Sequence, residues 1–181
     1  MSIKISIPIF FLIIILISCS AGGYTSDFEK LDSVQQSKIK KLQSFANHDT
    51  NLIYKISGKQ LHEELKKHPK SIVYIFKNGC SSKFCLPLSI YENYAKENNY
   101  KLFLVMNGYI HLEETTKQPL KNQLYSIDYE CYNTNIRQIY STYFINEIQN
   151  KTMSNKNSEY QGNIFIFEYE QLKKVLLLLP N

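Results

Sequence analysis

Two stretches of this chain are apolar on both sides. Residues 71–77, SIVYIFK, and 101–106, KLFLVM, are near-continuous apolar runs with many β-branched or aromatic side chains. A strand with one wet face alternates in polarity, so an unbroken run belongs inside a sheet covered on both faces. The segment between the runs has room for one helix. Asn78-Gly79 is a turn pair, Pro87 suits a first helical turn, and Leu88, Tyr91, Tyr94 and Ala95 recur at helical spacing until Asn98-Asn99. The spacing predicts a helix over 86–98 crossing from one strand to the next. The two strands are then adjacent, parallel and central, with a right-handed crossover. Cys80 and Cys85 fall between the first strand and that helix, where a helix dipole favours a thiolate.

The flanking sequence supplies the rest of an α/β domain. A helix is expected from Asp27, with Phe28, Leu31, Val34, Ile39, Leu42 and Phe45 on one side and Asn47-His48-Asp49 ending it. Residues 51–56 read as a short strand, and Ser57 with Gln60 reads as a capping box. The helix that follows turns Leu61 and Leu65 inward and stops at Pro69, with Glu63 and Lys67 paired one turn apart. Residues 110–125 read as a loop with a short helix, and 125–129 as a strand or an irregular connection. Asn133 or Thr134 can cap an amphipathic helix with Ile136, Ile139, Tyr140, Tyr143, Phe144 and Ile148 on one stripe. Residues 163–169 and 173–179 read as a closing hairpin.

The N-terminus reads as an address. After Lys4 the chain is almost wholly apolar over residues 5–17, the length of a signal-peptide core and too short to span a bilayer comfortably. It ends in Leu16-Ile17-Ser18-Cys19, which resembles the lipobox of bacterial lipoproteins. That resemblance implies removal of residues 1–18, palmitate-type acylation of Cys19 as the new N-terminus, and a tether over 19–26. The domain then occupies 27–181. The alternative is an ordinary secretory cut near Ala21. The lipobox resemblance implies a place in the cell envelope, anchored to a bacterial membrane and facing an extracytoplasmic compartment such as the periplasm, where cysteines tend to pair.

From residue 51 to residue 179 the expected order is strand, helix, strand, the cysteines, helix, strand and, at the end, helix and two strands. This order resembles the thioredoxin-like fold, a central mixed sheet flanked by helices, here with an extra N-terminal helix. The most telling piece is the capped helix, its terminating proline and SIVYIFKNGC. The resemblance implies thiol–disulfide exchange, with Cys80 as nucleophile and Cys85 as the resolving thiol. Four residues separate these cysteines where the family has two, and Gly162 stands where the family has a proline. An active dithiol and a static disulfide pinning the loop both remain open, and Cys131 reads as a spare thiol.

Other chemistries find less support. Net charge is +5, but the 21 basic residues are scattered with no basic run among aromatics, so no nucleic-acid partner is expected. Cys80 and Cys85 with His62, His68 or His111 could gather a soft ion, yet no histidine stands at ligand spacing from another; no metal or cofactor is expected. Glu63-Glu64 and Glu113-Glu114 read as solvated faces. No phosphate loop, nucleophile elbow or Ser-His-Asp arrangement is visible. Two functions follow: a membrane-anchored thiol–disulfide oxidoreductase acting on a thiol or disulfide protein, or a non-catalytic module of the same fold that serves as an interaction scaffold.

Overall fold

The computed structural model describes residues 24–46, 49–80, 85–154 and 162–180. Its elements are α1 (Ser33–Ser37), β1 (Ile39–Lys41), β2 (Ile53–Ile56), α2 (Gly58–Leu65), β3 (Ser71–Phe76), α3 (Leu88–Glu97), β4 (Lys101–Met106), α4 (Leu112–Thr116), β5 (Leu124–Ile127), α5 (Arg137–Ile148), β6 (Ile164–Glu168) and β7 (Gln171–Leu176), with 3-10 turns at Phe28–Lys30 and Tyr129–Tyr132. The strands form one mixed sheet in the order β1-β2-β5-β4-β3-β6-β7. The two apolar runs are parallel neighbours near its middle, Ser71 opposite Lys101 and Phe76 opposite Met106. β6 and β7 close the sheet as an antiparallel hairpin on β3.

Alternate residues of β3 feed two cores, which is why its sequence is apolar throughout. On one face Val73 and Ile75 pack with Leu61 and Leu65 of α2 and with Phe144 and Ile148 of α5. On the other, Ile72 and Tyr74 pack with Leu88, Tyr91 and Ala95 of α3. The local signals over these elements operate as read. Ser57 and Gln60 make the reciprocal capping box, and Asn99 adopts the left-handed conformation (φ 58°) that ends α3. Gly58 lets α2 approach α5: a Cβ there would lie 2.6 Å from the Phe144 carbonyl oxygen. The pairing of Glu63 with Lys67 is replaced by one residue of shift on each side. Glu63 meets Lys66 at 2.6 Å and Glu64 meets Lys67 at 2.7 Å.

The N-terminal region corrects the sequence reading. In place of one long helix from Asp27, the chain makes a 3-10 turn, the five-residue α1 and the edge strand β1. Extended backbone sends Ile39 to the core under α3 and Leu42 to the core under α5, which one helical stripe cannot do. Val34 is left exposed. Similarly, Ile136 and Ile139 are exposed on α5, whose buried stripe is Tyr140, Phe144 and Ile148.

Residues 24–27, within or beside the segment read as a tether, are bonded to the domain. Thr25 forms an antiparallel bridge with Ile136. The Arg137 amide donates to the Tyr24 carbonyl (2.7 Å), the Ser26 amide to Asn135 (3.1 Å) and the Tyr109 amide to Ser26 (2.8 Å). Asp27 meets the Arg137 guanidinium at 2.8 Å, and both side chains are buried. This strap crosses the C-terminal ends of β4 and β5.

The sheet has two open margins. On one side is β1, three residues with exposed Lys40 and Lys41; on the other is β7, with exposed Lys173 and Lys174. Among the described residues no helix is long and apolar enough to cross a membrane. The apolar run over 5–17 and Cys19 lie outside the described residues.

Candidate functional site

Cys80 and Cys85 form a disulfide, with Cα atoms 5.9 Å apart, well within the span such a bridge needs. The bridge stands at the C-terminal end of β3, the edge where open α/β sheets place their sites. Cys80 is exposed and Cys85 half-buried.

What holds Cys80 there is the turn before it. Asn78 is buried; its side-chain amide donates to the Gly108 carbonyl (2.9 Å) and accepts from the Thr115 hydroxyl (2.7 Å). The end of β3 is thereby tied both to the exit of β4 and to α4. Gly79 follows with φ 63°, and a Cβ there would meet the His111 side chain at 2.7 to 2.8 Å. Glycine is the residue that fits both the conformation and the space. Beyond Cys85, the Leu88 amide at the start of α3 donates to Gln118 Oε1 (3.0 Å). Both flanks of the cysteine loop are thus fastened to the segment around α4. α3 begins at Leu88 with Pro87 as its N-cap, so along the chain Cys85 stands closer to the helix start than Cys80.

A cleft of about 460 Å³ opens beside the bridge, with Tyr74, Phe76, Leu86, Glu114 and Gln118 in its wall. Tyr74 in its wall is backed by Tyr91, with the stacked ring centroids 3.9 Å apart. Burial and then the bond to Tyr91 push the Tyr74 hydroxyl far above its ordinary range. That phenol stays protonated and offers the cleft an uncharged, partly apolar surface.

Cys131 is separate from this site. It lies on the exposed 3-10 turn after β5, and its thiol is turned toward the buried Asp128, to which it donates at 3.0 Å. Desolvation of the sulfur, then the Asp128 carboxylate, push its pKa up to about 11. Alkylation by iodoacetamide at pH 8 is therefore expected to run roughly 100-fold slower than for a free cysteine, because so little thiolate is present. A rate like that of a small peptide thiol would contradict this arrangement.

Two of the candidate histidines have other partners. The His62 ring Nδ1 lies 3.2 Å from the Ile148 carbonyl, and His68 lies 3.0 Å from Glu64. His111, Glu113 and Glu114 bring three ligand-type atoms within 4.8 Å of one another, all on exposed side chains. The sequence reading found the cysteine pair but not Asn78, Thr115 and Gln118, whose partners are 30 or more positions away. The Asn78-Gly79 turn was the one local hint. Compared with known proteins, the chain matches no family model and no curated protein sequence.

Proposed function

We propose that this chain is a thioredoxin-like thiol–disulfide exchange protein held on a bacterial membrane by a lipid on Cys19. The observation that carries the reading is the Cys80–Cys85 disulfide at the end of the central strand, with Cys80 the more exposed residue. The element order from β2 to β7 supports the fold, and LISC at the end of the apolar run supports the anchor.

The reaction balances with these two sulfurs and a dithiol partner. A partner thiolate attacks Cys80 Sγ, the Cys80–Cys85 bond breaks, and Cys85 leaves as a thiolate. The partner's second thiolate attacks its own sulfur in the mixed disulfide and expels Cys80. The partner is oxidised by two electrons, and Cys80 and Cys85 take up the two protons that its thiols gave. In reverse, Cys80 thiolate attacks a partner disulfide and Cys85 resolves the intermediate.

A second reading, a non-catalytic scaffold with a static disulfide, draws on the hydrogen bonds that fasten both flanks of the loop. Redox titration of the purified protein against glutathione separates the two. An exchanging pair should titrate between about −270 and −120 mV, whereas structural disulfides lie below about −300 mV. A bridge that stays oxidised down to that lower limit overturns the exchange reading.

A further inference from the structure

We infer that the edge of the sheet carrying the disulfide rests against the lipid surface, so that the exchange partner presents its thiols at the membrane interface. The inference builds on the lipid-anchor reading of Cys19 and is carried by where residues 24–27 lie on the sheet.

Tyr24 is the first described residue, and its carbonyl is held by the Arg137 amide at the start of α5. The Lys77 ammonium lies 5.8 Å from the centre of the Tyr24 ring. Lys77 immediately follows β3 and stands three positions before Cys80. The strap therefore starts beside the strand that bears the disulfide and runs away from it toward β1. An extended chain spans at most about 3.5 Å per residue, so Cys19 lies within about 17 Å of Tyr24.

That reach decides the orientation. A six-residue strand is about 20 Å long. To bring the opposite edge of the sheet to the bilayer, the link from Cys19 to Tyr24 would have to pass the whole strand and the loops below it. It is too short. Exposed apolar side chains agree with this geometry. Tyr169, 52% exposed, lies at the opposite edge beside Pro69, whereas Tyr24, Leu86, Ile136, Ile139, Leu177 and Leu178 form a larger group, each at least 36% exposed. All six lie at the C-terminal edge: β7 runs parallel to β3, so its end brings Leu177 and Leu178 to the same side. The opposite edge presents exposed Lys66, Lys67, Lys70 and Lys121. A tethered surface rich in aromatic and aliphatic groups settles into the headgroup boundary, where such side chains are favoured.

The absence of tryptophan from the sequence makes the test simple. The lipidated protein, purified from its own membrane, would be made with Leu178→Trp at the disulfide edge or Tyr169→Trp at the opposite one, and placed in phosphatidylcholine–phosphatidylglycerol vesicles with a nitroxide on the phosphatidylcholine headgroup. Ile139→Trp serves as a second reporter of the disulfide edge should Leu178→Trp fold poorly. Emission at position 178 or 139 is expected to fall by about half, since interfacial side chains sit within contact range of the headgroups. Emission at position 169 is expected to stay unchanged. Equal quenching at both edges, no quenching at either, or quenching at 169 alone overturns the inference. Mass analysis of the N-terminal peptide reports the anchor separately. A bare Cys19, or a chain cut after it, overturns the anchor reading and the inference together.

Discussion

Replacing Cys80 with serine is expected to reduce turnover of a dye-labelled glutathione disulfide by at least about 10³-fold, the scale of loss when a nucleophile is removed. A hydroxyl oxygen can neither form nor leave a disulfide, so the attack assigned to Cys80 is lost and only the half-buried Cys85 thiol remains. Cys85→Ser should behave differently. Cys80 still attacks, but nothing resolves the product, and a mixed disulfide that disappears with dithiothreitol should accumulate. The two variants lose the same bridge. Its loop is short, with a sequence separation of 5, so in the chain-entropy picture each variant loses about 2 kcal/mol. A difference between them therefore reports chemistry and not folding. Cys131→Ser should leave turnover unchanged. Turnover by the Cys80→Ser protein would sink the assignment of Cys80. Turnover by none of the proteins, wild type included, would leave the scaffold.

Arg137→Met is expected to bring the largest loss of stability outside the hydrophobic cores. The Arg137 guanidinium donates to Asp27 at 2.8 Å and to the Thr25 carbonyl at 2.7 Å. Removing one partner of a buried pair costs about 3–5 kcal/mol, because the remaining charge stays desolvated. Asp27 keeps a contact with Lys30 at 2.8 Å, but that lysine is 74% exposed and well screened. The loss should lie at the lower end, about 3 kcal/mol, which for a chain of this size lowers Tm by roughly 6–12 °C. The Tyr109 amide, which donates to Ser26, should exchange with solvent faster as the strap loosens. A Tm within 2 °C of wild type, by scanning calorimetry, would contradict this account, since about that much is the effect of a single neutral surface change.

The same pair sets an acid dependence. Burial acts to raise the Asp27 pKa. The hydrogen bonds from Lys30 and Thr25, with the charges of Lys30 and Arg137, outweigh it and leave the carboxyl below its ordinary value. A group with a depressed folded pKa contributes stability above its unfolded pKa and loses it as pH falls through the folded one. The difference in Tm between wild type and Arg137→Met should therefore shrink below about pH 4.

What could be read from the sequence was local or periodic. The continuous runs of β3 and β4, the Ser57 capping box and the Asn98-Asn99 stop each act within a few positions and need no distant partner. Failures came where an element answers to tertiary contacts. Phe28, Ile39 and Leu42 mimic a helical stripe, but Phe28 packs edge-on to Tyr109 (5.5 Å) and the other two serve opposite faces of the sheet. The site divides in the same way. Cys80 and Cys85 were visible because thiols beside a strand end are chemically distinctive. Asn78, Thr115 and Gln118 were not, because a buried amide looks like any loop polar residue until its partner is known.

The two open margins bear on crowding. Molecules at high local concentration meet often, and an unpaired strand offers each neighbour a ready template for addition. Here a sheet growing from one molecule into the next would press Lys40 and Lys41 of β1 toward Lys173 and Lys174 of β7, and β1 is three residues long. Like charges directly across a strand pair oppose the ladder. The lysines at the margins thus favour single domains over ribbons, a safeguard that substituting Lys173 and Lys174 with threonine would remove while leaving both cores untouched.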